Sequence, residues 1–252
     1  MKGIYLLVFV LSFGVAMFWS AGSGRAEIYF FEDFESYSDG DDIAQKSDDW
    51  EVLDDALASG MASDEIAHTG QMSCVLQGSS CIGYNLALDA DMPESYVASV
   101  WYYHDAGQDP PPDANFVFAD VVPVWHDAIL VGTRAIAPDL DNYTYRDKKG
   151  DAVVADTKVQ RKSDWVNFTF VIEADKTDIY IDGREIHNSA FGSLTYKVLC
   201  CERVWAVVDG DVYYDNFVLA DTMEDTLSVI AVEPADKSTT MWGSIKAHGS
   251  AY

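Results

Sequence analysis

Three carboxylates and six aromatic or cationic side chains are the residues of this sequence best suited to do chemistry. Asp33 and Glu35 close an early apolar run, and Asp215 lies inside a late one over residues 212–219. Hard divalent cations such as calcium take six to eight such oxygens. Trp101, Tyr103, Trp125, His126, Arg134 and Tyr145 lie on mid-chain β-like runs and the loops that follow them. Aromatic faces flanked by polar groups suit a ligand with both apolar and hydrogen-bonding sides. Strands also favour aromatics for packing alone, so the direction in which each one faces decides its use. Trp125-His126-Asp127, close to Pro123, reads as loop and is the best placed exposed platform. Other chemistries are not spelled out. The sequence has no G-x-S-x-G and no phosphate loop, and its five histidines form no H-x-H or H-E-x-x-H pair. Residues 139–142 lack the glycine and distal glutamate of an EF-hand.

The elements that must position these residues are strands. Over residues 165–186, Val166, Phe168, Phe170 and Ile172 alternate with Asn167, Thr169, Val171 and Glu173. A period of two gives one apolar face. Residues 174–177 form a turn, Ile179 and Ile181 resume the alternation, and Asp182-Gly183 is a hairpin dipeptide. Further β-like runs span 28–35, 50–52, 72–76, 81–88, 96–104, 116–125, 128–137, 142–146, 152–156, 198–201, 204–208 and 212–219, and one more apolar run spans 227–232. No run keeps a helical period, so the chain is expected to be all-β, an antiparallel two-sheet sandwich or jelly roll. In the run 96–104 the alternation sets Trp101 and Tyr103 opposite Val100 and Tyr102, so one of the two pairs points away from the core.

Composition sets the compartment. Residues 1–26 have a charged start, an apolar stretch and a small-x-small end at Gly24-Arg25-Ala26, which read as a secretory signal peptide. Residues 27–221 then form one domain, and residues 222–252 a polar C-terminal tail. The formal net charge is −26. Loss of Lys2 and Arg25 with the signal would deepen it to about −28. Such a charge disfavours nucleic acid and anionic membrane surfaces as partners. Four cysteines, Cys74, Cys81, Cys200 and Cys201, lack zinc-ligand spacing. In an exported chain they are expected as disulfides or as buried thiols.

The string W-V-x-F-x-F-x-I and the following I-Y-I-D-G-R-E-I (residues 165–186) resemble the concanavalin A-like, laminin-G-like jelly roll. An opening FEDFESY (31–37), an H-T-G-Q-M-S (68–73) and a closing VYYDNFVL (212–219) resemble the flanks of bacterial secreted members. The opening and closing strings also resemble β-sandwich carbohydrate-binding modules of the galactose-binding-like kind. That second resemblance implies a structural calcium where first and last strands adjoin, with Glu35 and Asp215 as ligands, Asp33 beside them, and Asp64 or Glu65 completing the set. Jelly-roll glucanases carry an E-x-D-x-x-E strand. The nearest string here, residues 173–178, ends in aspartate and lies on a turn. A lyase-like group of Tyr102, His104, Arg134 and Tyr145 is conceivable, though no spacing requires it. The expected function is therefore a secreted, non-catalytic carbohydrate-binding or adhesion module for a polysaccharide or glycan. A polysaccharide-degrading enzyme of the same fold and a cell-surface protein-interaction domain are the alternatives.

Overall fold

A computed structural model describes residues 27–53, 57–86, 92–120, 127–135, 137, 139–149, 154–204, 210–224 and 226. The chain forms two antiparallel sheets packed face to face. The first carries β1 (Ile28–Glu32), β2 (Met61–Ser63), β3 (Ser73–Leu76), β5 (Tyr96–Tyr103), β10 (Val166–Ile172), β11 (Thr177–Ile181), β12 (Arg184–Ser189) and β14 (Val212–Ala220). Its order is β12-β11-β10-β5-β14-β3-β2, and β1 also pairs with β14. The second carries β4 (Ser80–Asn85), β6 (Ala114–Ala119), β7 (Asp127–Thr133), β8 (Asn142–Lys149), β9 (Ala155–Gln160) and β13 (Val198–Arg203), in the order β4-β13-β6-β7-β8-β9. One helical turn, α1 (Ile43–Lys46), is capped by the Asp42 carboxylate, which accepts the Gln45 N–H. No described helix is long and apolar enough to cross a membrane.

The inward residues are those the alternation selects. Val166, Phe168, Phe170, Ile172, Ile179 and Ile181 are all in the core between the sheets. Phe170 stacks on Phe116 of the opposite sheet at 4.7 Å, and Phe168 on Tyr102 at 5.1 Å. Each such ring contributes about 1.5–3 kcal/mol by leaving water. The β11–β12 turn places Asp182 and Gly183 at φ 48° and 74°. Both left-handed residues match the twist of a two-residue hairpin.

Some boundaries differ from those expected of the sequence. Residues 50–52 make only an isolated bridge, Glu51 to Gly83, and β6 ends at Ala119. The strand expected at 152–156 runs instead over Ala155–Gln160. The runs at 204–208 and 227–232 fall wholly or mainly outside the described residues. The first and last strands do adjoin: β1 pairs with β14 over Phe217–Ala220, while β3 pairs with Val212–Tyr214. β14 thus changes partners along one edge. At the change lies a bulge against β5, where Asn216 has φ 48°.

All four cysteines are buried free thiols. Adjacent strand residues point to opposite faces. Cys201 accordingly enters the core between the sheets, and Cys200 lies in the apolar layer on the outer face of the six-stranded sheet. Cys81 opposes Glu202, and Cys200 opposes Gly83. The two outer thiols are therefore one step out of register, a diagonal spacing of about 7–8 Å between Cα atoms, beyond the usual reach of a disulfide.

Candidate functional site

The residues singled out in the sequence fall into three places. Trp125 and His126 lie outside the described residues. Trp101 and Tyr103 sit half-buried on the outer face of the eight-stranded sheet, as alternation requires, because Val100 and Tyr102 enter the core. They are not a bare platform. The His68 imidazole lies flat on Trp101, with centroids 3.9 Å apart and planes 14° apart. Tyr103 packs against Trp165 and Tyr213 at 5.6 and 6.1 Å. His68 is held neutral: burial lowers its pKa to about 4, against the pull of Asp164. Tyr145 is packed against the core and stacks on His187 at 4.6 Å, while His187 reaches Asp147 at 2.7 Å. The lyase-like group does not assemble. Tyr102 is in the core with its hydroxyl on Thr133, whereas Arg134 lies on the outer face of the other sheet.

The carboxylates expected to hold calcium are engaged by backbone amides. Asp215 Oδ2 accepts the His68 and Thr69 N–H groups at 2.8 and 3.0 Å, and Oδ1 accepts that of Asn216 at 2.7 Å. Glu35 Oε1 accepts the Gln71 and Met72 N–H groups at 2.7 and 2.8 Å. Asp33 Oδ1 accepts the Glu35 N–H at 3.2 Å. Among the described residues no three His, Cys, Asp or Glu side chains are placed to hold a metal ion. Through these bonds Asp33, Glu35 and Asp215 anchor their loops. Asp215 pins the 64–72 loop where β14 changes partners. Gly70, at φ 69°, lets Glu35 approach: a Cβ there would stand 2.1 Å from Oε1.

Arg134 belongs to a different constellation, on the outer face of the six-stranded sheet. Strand register lines up Glu202 of β13, Asn115 of β6, Gly132 of β7 and Thr144 of β8 in one row. The next row on the same face is Cys200, Val117, Leu130 and Arg146. Beyond it, Val198, Ala119 and Ala128 extend an apolar floor. Gly132 has no room for a side chain, since a Cβ would lie 2.1 Å from the Ala114 carbonyl oxygen.

These polar groups are buried. Asn115 is fully covered, Glu202 is 3% exposed and Arg146 9%. The Asn115 amide donates to Glu202 Oε1 at 3.1 Å. Arg134 Nε stands 3.5 Å from Asp113 Oδ1, which also accepts the Ala135 N–H at 2.6 Å. Burial pushes the Glu202 carboxyl up to about 7, while Arg134, Arg146 and the Asn115 amide pull it down. Burial also raises Asp113 against the charge of Arg134, and lowers Arg146 with a further push from Arg134. Three buried atoms here have no hydrogen-bond partner among the described residues: Asn115 Oδ1 and the Nε and Nη2 of Arg146. The chain itself covers these atoms: Asn115, Val117 and Leu130 on this face are all buried, and Leu53 joins the same apolar cluster.

No family model matches the chain, and no curated protein matches it. Solved structures do. Domain 4 of AbnA, a GH43 extracellular arabinanase from Geobacillus stearothermophilus in complex with arabinotriose, superposes with a TM-score of 0.52 at 14% identity. The match covers 81% of this chain and 98% of that one. The botulinum neurotoxin serotype D binding domain matches with a TM-score of 0.50 at 11% identity, covering 81% of this chain. This chain spans about half (51%) of the length of that binding domain. What these proteins share is the sandwich. Identity this low establishes fold alone, and function must come from the site.

Asn115, Arg146 and Glu202 escape a reading of the sequence because each sits in an otherwise ordinary strand. The available signal is a charge at an alternating position of a β run: Glu202 follows Cys200 on the outward register, and Arg146 follows Thr144.

Proposed function

We propose that this chain is an exported, non-catalytic carbohydrate-binding module of the concanavalin A-like, laminin-G-like kind, holding a glycan on the outer face of its eight-stranded sheet. The observation that carries this reading is the half-buried aromatic group on that face, Trp101 and Tyr103 with Trp165 packed beside them. Sugars present hydroxyls that donate and accept together with C–H surface that prefers an apolar floor. The structural likeness to a domain solved with arabinotriose supports the fold on which the reading rests. The two buried acids of the six-stranded sheet are committed to neighbours, Asp113 to Arg134 and Glu202 to Asn115, which favours holding a glycan over cleaving it. Export rests on the signal-like residues 1–26.

The test is a glycan array followed by titration calorimetry. Trp101→Ala should weaken binding about 10-fold, as expected for loss of an aromatic contact face, without loss of the folded state. Undiminished binding in that variant would place the site elsewhere. One observation favours a second reading, a polysaccharide-degrading enzyme: the Glu202 carboxyl, raised to about 7 by burial, is tuned as a general acid would be. Release of reducing ends or unsaturated products, abolished by Glu202→Gln, would replace the first reading with the second.

A further inference from the structure

The aromatic group on the outer face of the eight-stranded sheet lies among acids. Register sets Tyr213 of β14 beside Tyr103 of β5, and Trp165, one residue before β10, packs on Tyr103 at 5.6 Å. The His68 imidazole meets the Trp165 ring at 5.5 Å with planes 68° apart. Trp165, Tyr103 and His68 are each partly exposed, so the group keeps a surface open to solvent. Asp164 and Glu65, both exposed, flank it. Asp164 directly precedes Trp165 and acts on His68. Glu65 Oε2 accepts the Tyr213 hydroxyl at 2.8 Å, and Asp211 acts on the same hydroxyl.

No base answers these acids. Burial holds His68 neutral. Lys162, which precedes Trp165 in the same loop, is taken by Asp182 at 2.8 Å. Among the described residues neither Asp164 nor Glu65 is in an ion pair. Exposed carboxylates need no counter-ion for stability, so what the arrangement decides is the potential that a ligand meets. The face of an aromatic ring attracts cations, that of tryptophan most strongly. A carboxylate at the edge of the ring adds to the same field. An acidic sugar is repelled there, and a neutral one meets the acids only as hydrogen-bond acceptors. A sugar ammonium gains from the rings and from the acids together.

We infer that the glycan held on this face is an amino sugar with its amine free, an oligomer of hexosamine, whose C–H surface lies on Trp165 and Tyr103 and whose ammonium groups are received by Asp164 and Glu65. This inference rests on the glycan-binding reading above and deepens it. An ammonium carries three donors and no acceptor, which suits a rim whose free polar atoms are carboxylate oxygens. N-acetylation removes the charge, so the site distinguishes the free amine from its amide.

The experiment titrates the full-length protein with four probes: a short glucosamine oligomer, its N-acetylated form, the corresponding glucose oligomer, and an oligolysine of equal charge. The buffer is mildly acidic, which keeps the sugar amine protonated. Salt of about 0.15 M screens the general pull of the chain's net charge of −26 beyond roughly 8 Å. Binding is read by calorimetry and by the Trp165 indole N–H cross-peak in NMR, assigned with Trp165→Phe. The glucosamine oligomer should bind and move that cross-peak. The N-acetylated and glucose oligomers should bind at least about 10-fold more weakly, the sum of a cation–ring contact and two exposed ion pairs. Asp164→Asn and Glu65→Gln each keep an oxygen for the bond now accepted, and each should lose about 3-fold. Binding of the N-acetylated or glucose oligomer as tight as that of the glucosamine oligomer would overturn the inference and leave the glycan-binding reading intact. Oligolysine moving the cross-peak as far as the glucosamine oligomer does would also overturn it, since charge alone would then suffice. So would binding of the glucosamine oligomer with a still cross-peak, which puts the amine elsewhere. No binding by any probe, or by a wider glycan array, would overturn both readings. The cross-peak comparison uses the unmodified protein and holds even if a variant fails to fold.

Discussion

Replacing Glu202 by Gln isolates the cost of one buried charge. The substitution keeps an oxygen to accept the Asn115 amide at 3.1 Å and changes little in volume. It removes a carboxyl whose pKa rises from 4.5 to about 7 on folding, mainly through burial. Because the folded-state value is the higher one, the folded protein binds the extra proton between those two pH values. The associated stability is present in full below about pH 4.5 and is lost as pH rises through about 7. At about 1.4 kcal/mol per unit, the loss above pH 8 is roughly 3 kcal/mol, and the group is too buried for solvent to screen much of it. Glu202→Gln should therefore lie close to the wild type at pH 5 and exceed it by roughly 3 kcal/mol at pH 8, about 6–12 °C in Tm for a domain of this size. Urea unfolding of both proteins at pH 5, 6.5 and 8 gives the difference directly. The contribution of Asp215, also raised to about 7, cancels between them. A gap that stays constant with pH, or a variant less stable than the wild type at pH 8, would refute the account of Glu202 as a desolvated carboxylate near two arginines.

Gly132→Ala should destabilise the protein by about 2–4 kcal/mol in urea unfolding, because the new methyl meets backbone, which cannot swing aside as a side chain could. The four thiols should be silent to Ellman's reagent in the native protein and react fully in denaturant, since buried thiols are poor nucleophiles. Asp215→Ala should raise amide exchange at His68, Thr69 and Asn216, whose N–H groups lose their acceptor. Millimolar calcium, or a chelator, should move Tm by less than about 1 °C, because a ligand stabilises only the state that binds it. A larger calcium shift abolished by Asp215→Ala would restore the cation to that loop.

The sequence by itself determined the layers and the inward faces. Period-two alternation states which side of a strand is apolar, and the core of a sandwich must take that side. The positions of Phe168, Phe170 and Ile179 in the core, and of Trp101 and Tyr103 outside it, follow from that rule alone. The adjacency of first and last strands was also legible, through the resemblance carried by the chain's opening and closing strings. What only the tertiary structure decided is which outward residues meet. Glu202, Asn115, Gly132 and Thr144 come from four strands and share a row only because register across three pairings aligns them. Asp215 Oδ2 meets amide groups 146 and 147 residues away, a meeting that no local pattern announces. His68 reaches Trp101 from a loop and covers a ring that alternation had left facing outward. Alternation is a local property of one strand, whereas a binding site is a property of neighbouring strands. That difference is why Arg134 could be singled out from the sequence while its meeting with Arg146 and Glu202 on the folded face could not.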